Sequence, residues 1–525
     1  MSNLQLRTCL IWLTGLICTI AGQLSYSKHT DSSENHECSM ALYKATHSST
    51  LAPSPPEISG EWTSHRCEIR PGPEFLLRKY FFKRTSFLAH QYYYADEECT
   101  KPVYSIVAKG SYHLQQESWR VPGGLEARHR VSEVYVIPYL QHVADQFYRL
   151  LKRFCPAMKP KLTTIEPLKK VKILQFPRYN KYLKSRRKHL MQDFDCSGLF
   201  NFTMNELQLI RLEINDNEWN DLEKNNSIDL KQDQHSRREL FLGDLHTKTK
   251  SRQSHRPTSY QTSLLDAKTE GCQVCGSIAN SNDFLPPVLH HHGEQSHFMP
   301  GQWVSERCET RQNGQFLTRM LTFLPDGKSW QCQYDFYNDP LCRDSSFTVY
   351  GKGHYLKERK SPHIPSAKEF TFRTTNLKIE PKDFWILEYL NSYEGKQCGK
   401  PKSWKLGVEQ DVTITGGCIT LGIQLPNIEY ELIKQEFLNG KEILFVGQKP
   451  SDGELMQNRK NRPTSFQSPL AKCGRVSQMN SPSLGTLKLE QKYHEINRAE
   501  NSISSGLQIY WDAFLLFACL LSWFM

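Results

Sequence analysis

The sequence predicts a mainly β protein: two tandem homologous domains, each a disulfide-stapled, β-barrel-like unit with one flanking helix. Three observations carry this expectation. A long block of sequence recurs in order in the second half, twelve of the sixteen cysteines keep one register in both halves, and apolar residues within each half alternate with a period of two. The 525 residues accommodate two to four domains, and a 38% hydrophobic composition supports packed cores, which excludes wholesale disorder. A formal net charge of +11 favours acidic surfaces: sulfated glycans, anionic lipid or nucleic acid.

The ends set the compartment. Arg7 precedes the apolar run 8–20 and the small residues Ala21 and Gly22, so residues 1–22 read as a secretory signal peptide. Residues 474–506 read as a polar linker and 507–525 as a hydrophobic anchor. That anchor is either a single-pass type I span that tolerates Asp512, or a lipid-anchor signal with Ser504-Ser505-Gly506 as the attachment site. Both readings leave the body on the extracellular face of the cell membrane, an oxidising setting that suits many cysteines. An extracellular body also removes nucleic acid from the expected partners.

The first domain is expected over 38–272, with a basic insert at about 156–195, and the second over 275–473. Gly60-Glu61-Trp62-Thr63-Ser64-His65-Arg66-Cys67-Glu68 returns as Gly301-Gln302-Trp303-Val304-Ser305-Glu306-Arg307-Cys308-Glu309, and Phe75-Leu76-Leu77-Arg78 returns as Phe316-Leu317-Thr318-Arg319. Near the end of each unit, Arg256-Pro257-Thr258-Ser259-Tyr260-Gln261 is matched by Arg462-Pro463-Thr464-Ser465-Phe466-Gln467.

Cys38, Cys67, Cys99, Cys155, Cys196 and Cys272 correspond to Cys275, Cys308, Cys342, Cys398, Cys418 and Cys473. The expectation is three disulfides within each unit and equivalent connectivity in both, with the pairing itself open. Cys332 has no counterpart and is either a buried free thiol or the site of an intermolecular bond. Cys272-Gln273-Val274-Cys275 has the spacing of a thiol oxidoreductase. The duplication divides that motif between the two units, and its surroundings read as a polar linker, so redox chemistry is not expected. His290-His291-His292 with Glu294 and His297 are zinc-ligand types, but their Pro-flanked stretch reads as an exposed histidine run. No metal, no cofactor and no enzymatic constellation is expected.

Within a unit the strands are legible from alternation. Over residues 104–112 one face carries Tyr104, Ile106, Ala108, Gly110 and Tyr112, and the second unit presents Phe347, Val349, Gly351, Gly353 and Tyr355 in the same places. Aromatic groups at both ends with small residues between them mark either the lining of a ligand-holding cavity, present in one of the two units, or a sharply bent strand. Residues 75–82, 91–95 and 131–137 are further strand candidates. A helix is expected over 140–154, where Leu140, Val143, Phe147, Leu150, Leu151 and Phe154 share a face, and another after Asp383 as N-cap. Each Gly-x-Trp, at Gly60 and Gly301, resembles the lipocalin signature in which the Trp closes the bottom of a barrel. The first unit alone carries the basic patch Lys181, Lys184, Arg186, Arg187 and Lys188, suited to heparan sulfate or acidic headgroups or simply a solvated loop. Asn201 and Asn225 open N-glycosylation sequons.

The duplicated W-x-S-x-R-C-E block, Glu206-Leu207-Gln208-Leu209-Ile210-Arg211, Leu240-Phe241-Leu242-Gly243-Asp244 and the R-P-T-S-[YF]-Q block resemble the adenomatosis polyposis coli down-regulated (APCDD) family. The resemblance implies an extracellular, membrane-anchored glycoprotein that inhibits Wnt signalling as a homodimer. Its implied partners are Wnt proteins and their low-density-lipoprotein-receptor-related co-receptor. It also implies two fused barrel-like domains with a lipid-binding pocket suited to the Wnt acyl chain. The alternative is a heparan-sulfate-assisted protein-binding module without lipid capture. The chain departs from the family pattern in lacking basic residues after the apolar tail and in the length of its basic insert.

Overall fold

The structure is a computed structural model that describes residues 33–158, 162–176, 193–216, 236–290, 300–425, 428–438, 440–454 and 456–473. The signal peptide, Lys181, Lys184, Arg186, Arg187, Lys188, Asn225, His291, His292, Glu294, His297 and the C-terminal anchor lie outside the described residues.

After helix α1 (Ser33–His47), the first unit forms β1 (Thr50–Leu51), β2 (Gly60–Thr63), β3 (Glu68–Arg70), β4 (Glu74–Phe82), β5 (Ser86–Tyr94), β6 (Pro102–Glu117), β7 (Leu125–Pro138), helix α2 (Gln141–Phe154), β8 (Val171–Gln175), β9 (Phe194–Asp195), β10 (Leu209–Asp216), β11 (Ser236–Leu242) and β12 (Leu264–Asp266). The long strands are rich in aromatic and β-branched residues, which fit a pleated, half-buried surface. All pairings are antiparallel, and β10 meets both β11 and β7, so β2, β4, β5, β6, β7, β10, β11 and β12 close a ring of eight. A ring of that size has an interior that side chains just fill or that holds one ligand.

Helix α3 (Gln273–Ala279) leads into the second unit: β13 (Gly301–Ser305), β14 (Glu309–Arg311), β15 (Gln315–Phe323), β16 (Ser329–Tyr337), β17 (Ser345–Lys360), β18 (Lys368–Pro381), helix α4 (Phe384–Ser392), β19 (Gln410–Asp411), β20 (Gly417–Cys418), β21 (Ile423–Gln424), β22 (Glu429–Leu438), β23 (Lys441–Val446) and β24 (Leu470–Cys473). Its ring repeats the first: β13, β15, β16, β17, β18, β22, β23 and β24, closed where β13 meets both β15 and β24.

The repeated motifs are structural. Ser64 donates to Glu68 Oε1 at 2.5 Å, Arg78 Nε binds the same oxygen at 2.9 Å, and Arg78 reaches the Thr262 carbonyl at 2.6 Å. Ser305, Glu309, Arg319 and the Ser468 carbonyl repeat this at 2.6, 2.9 and 2.6 Å. A buried charge is tolerable only when so paired, which explains why W-x-S-x-R-C-E and the later Arg recur together. Pro257 and Pro463 press on Gly243 and Gly447, where a Cβ would meet the proline rings at 2.4 and 2.6 Å. Gln261 and Gln467 donate to the carbonyls of those glycines. Gly60 and Gly301 open their strands at φ of +134° and +124°, a region that favours glycine, and place Trp62 and Trp303 where both are wholly buried.

All twelve corresponding cysteines are bonded, but not as three pairs within each unit. Cys67–Cys99 and Cys155–Cys196 match Cys308–Cys342 and Cys398–Cys418. The remaining pairs are Cys38–Cys473 and Cys272–Cys275, so each joins the first cysteine of one unit to the last of the other. The cause is an exchange of helices: α1 packs on β13 and β24 of the second barrel, while α3 packs on β2 and β4 of the first. The C-x-x-C stretch is therefore not a polar linker; Cys272 caps α3, accepting from the Cys275 amide at 3.1 Å. The exchange is reciprocal elsewhere. Arg66 stacks over Phe445 at 4.9 Å and its counterpart Arg307 over Phe241 at 5.2 Å, and Arg307 also pairs with Glu239 at 2.6 Å.

Candidate functional site

The two barrels share a fold and differ in their interiors. In the first, inward side chains merge into one apolar cluster that runs from Trp62 through Ile106, Ala108 and Val134 to the helix residues Val143, Phe147 and Leu151. In the second they separate into two clusters, one around Phe347, Ile379 and Leu390 and one around Trp303, Phe370 and Leu444. Trp330, Cys332, Tyr334, Val349, Gly351 and Leu377 line the inner end of one continuous space whose about 1800 Å³ includes a polar vestibule walled by both units. Small-molecule clefts commonly run to ~300–1,000 Å³.

The difference starts at the flanking helices. Helix α2 buries Val143, Ala144, Phe147 and Leu151, and the segment after Cys196 adds Phe202, Met204 and Leu207 to the same core. Its apolar stripe is shorter than the sequence suggests, since Leu140 and Phe154 are exposed. Helix α4, capped by Asp383 accepting from the Trp385 amide at 2.9 Å, buries only Leu390. The loop that follows is shorter too: Cys398 and Cys418 are 20 residues apart, against 41 for Cys155 and Cys196. With fewer apolar side chains delivered, the second ring stays open.

Of the residues singled out on the small-residue face, Val349 and Gly351 line the cavity. Phe347 stacks on Phe336 at 4.4 Å, and Tyr355 packs edge-on against Phe323 at 5.4 Å, so both bound the space rather than line it. Gly353 serves a close strand approach, because a Cβ there would meet the Arg373 carbonyl oxygen at 2.0 Å. In the first unit Ile106 and Ala108 are wholly buried and Tyr112 packs on Phe82. Tyr104 stacks on Tyr93 at 4.6 Å. A Cβ on Gly110 would meet the Phe87 ring at 2.6 Å. That face is therefore core, and its small residues mark crowding, not a pocket.

The face of β16 supplied lining that the small-residue reading missed. Cys332 stands opposite Gly351, a free, half-buried thiol whose pKa burial pushes up to about 12. Its place in the first barrel is taken by Ala89, and that of Trp330 by Phe87. The signal was present as the alternation Trp330, Cys332, Tyr334, Phe336. At the polar end Lys449 bonds Glu431 at 2.9 Å and also contacts Glu429. Burial would lower the Lys449 pKa, but these carboxylates outweigh it and hold it above its ordinary value. On the first-unit wall, burial and then Arg66 depress the His65 imidazole to about 3, so it faces the vestibule neutral.

Asn201 is exposed at the left-handed end of a short 3-10 turn (Ser197–Phe200). His290 is exposed, and among the described residues no three His, Cys, Asp or Glu side chains are grouped to hold a metal ion. Among those residues no helix is long and apolar enough to cross a membrane. A model of the family described as Adenomatosis polyposis coli down-regulated 1 matches residues 37–290 and 293–481.

Proposed function

The chain belongs to the adenomatosis polyposis coli down-regulated family, and from that premise we propose that it is an extracellular negative regulator of Wnt signalling whose second barrel takes up the acyl chain of Wnt. Membership gives the Wnt-related role. The observation that supports acyl capture is the open interior of the second barrel, lined by Trp330, Val349, Gly351 and Leu377, beside a sibling barrel of the same topology that is filled. Each methylene leaving water contributes about 0.8 kcal/mol, so ten buried methylenes supply about 8 kcal/mol before the costs of association. The polar vestibule suits the peptide segment that carries the chain. A receptor that needs the same acyl group is then deprived of it, and no chemical step is involved. The homodimer and the co-receptor contact are part of the same reading.

The test is binding of the purified, disulfide-intact protein to a Wnt-derived peptide with and without its palmitoleoyl group. Binding is expected only with the lipid, and Val349→Trp is expected to remove it. Equal binding of the two peptides, or of neither, overturns acyl capture. Binding that instead vanishes with salt favours contact through sulfated glycan.

A further inference from the structure

Helix α4 is as apolar as a core helix, yet it turns much of that surface outward. Phe384 is 72% exposed and Trp385 80%, with Tyr389 beside them. Neighbouring loops extend the patch: Gly407 donates to the Pro381 carbonyl at 2.8 Å, which sets Leu406 and Val408 next to the start of α4, and Tyr389 donates to the Thr420 carbonyl at 3.3 Å, next to exposed Ile419. In the first unit the corresponding helix puts Phe147 into the barrel core and leaves only Phe154 of its three aromatic residues exposed.

Charge says what meets this surface. The loop after α4 carries the exposed Lys396, Lys400, Lys402 and Lys405. Of the acidic residues around it, Glu409 is paired with Lys378 at 2.8 Å and Asp383 caps α4, which leaves exposed Glu388 and Glu394 against the four lysines. The loop is held against α4, with Asn391 Nδ2 donating to the Trp404 carbonyl at 3.2 Å, and is pinned by Cys398–Cys418. Trp, Tyr and Phe flanked by lysines is the composition of a bilayer interface, where rings sit at headgroup depth and ammonium groups pair with anionic lipid. A sulfated glycan would engage the lysines but leaves the contiguous apolar surface of Phe384, Leu406, Val408 and Ile419 in water, whereas a bilayer interface buries it.

We propose that the exposed aromatic face of α4, with the adjoining four-lysine loop, docks on the headgroup region of an anionic lipid bilayer. The layer beneath the patch is thin. Leu377 and Ile423 pack with Leu390 in the cluster under α4 and also line the cavity, so docking brings the open barrel within one side-chain layer of the membrane. The proposal stands apart from acyl capture, since it concerns the outer surface of that wall.

The test places an environment-sensitive NBD label at Trp385→Cys in the full chain, in a background of Cys332→Ala, which borrows the first barrel's residue, and Cys519→Ala in the anchor. The protein is incorporated into phosphatidylcholine vesicles with and without phosphatidylserine. With phosphatidylserine the emission is expected to shift to the blue and rise at least about twofold, while a label at Arg84→Cys keeps its aqueous spectrum. Replacing Lys400, Lys402 and Lys405 with Glu is expected to abolish the response with the disulfides intact. A label at position 385 that stays in water on both vesicles overturns the proposal. So does a lysine-dependent response to heparin with none to vesicles, which makes the face a glycan site. Neither result uses the acylated peptide, so the two proposals fail separately.

Discussion

The same ring of eight strands is solid in one half of the molecule and open in the other. Topology, closure and the buried Ser-Glu-Arg device are common to both; the filling is not. Ala89, Phe87 and Gln91 in β5 give way to Cys332, Trp330 and Tyr334 in β16, and Tyr80, which bonds Glu206, gives way to Leu321. A duplicated fold can keep its frame while one copy releases its interior, because the frame is held by hydrogen bonds, disulfides and edge closure as well as by core packing.

The comparison breaks most severely at its shared part. Arg78→Ala strands the buried Glu68 and is expected to cost about 3–5 kcal/mol in denaturant unfolding, whereas Arg319→Ala leaves Glu309 paired with Arg311 at 2.5 Å and is expected to cost less. The gap widens because Arg78 also lies 3.8 Å from Glu206, which is wholly buried. Near-equal losses would mean that neither Arg311 nor the Glu206 network makes a difference.

Chemical access sharpens the contrast next. With its pKa pushed up to about 12 by burial, the Cys332 thiol is expected to react with iodoacetamide at pH 8 at least about a hundredfold more slowly than free cysteine, because the thiolate is the nucleophile. A lipid in the cavity is expected to slow it further, read by mass spectrometry.

Overpacking then separates the barrels directly. Ile106→Phe, in the filled barrel, is expected to cost about 1–3 kcal/mol, whereas Val349→Phe, at the corresponding place beside the cavity, is expected to cost less than about 1 kcal/mol. Thermal melts of the two variants decide it, and equal losses would mean that the second barrel has no room.

The smallest effect distinguishes His65 from Glu306, its counterpart in the repeat. The folded pKa of His65, about 3, lies below its ordinary 6.5, so the unfolded chain takes up the proton first and stability is lost as pH falls from 6.5 toward 3. His65→Gln is expected to remove about 0.7 kcal/mol of the loss between pH 7 and pH 6, measured by urea unfolding at both values.

Much of this was legible without coordinates. Period-two alternation marked β6, aromatic and β-branched content marked β4 and β7, and the stripe at Val143, Phe147 and Leu151 marked α2. The cavity was half legible: Val349 and Gly351 stand on its wall, but the same pattern at Ile106 and Ala108 is solid core. A strand shows which residues share a face, and the number of side chains that other elements deliver to that face decides whether space remains. Trp330 and Tyr334 were missed because a single-strand reading does not see the neighbour across the ring.

The sequence by itself determined the duplication, the barrel-forming strands, the family and the set of bonded cysteines, because each follows from local pattern and from repetition in order. The tertiary structure alone decided which cysteine meets which, since α1 and α3 trade barrels and carry Cys38 to Cys473 across 435 residues. It also decided which barrel is open and that the aromatic residues of α4 face outward. Those outcomes depend on the volume that distant segments bring to one place, and volume is summed in space, not along the chain.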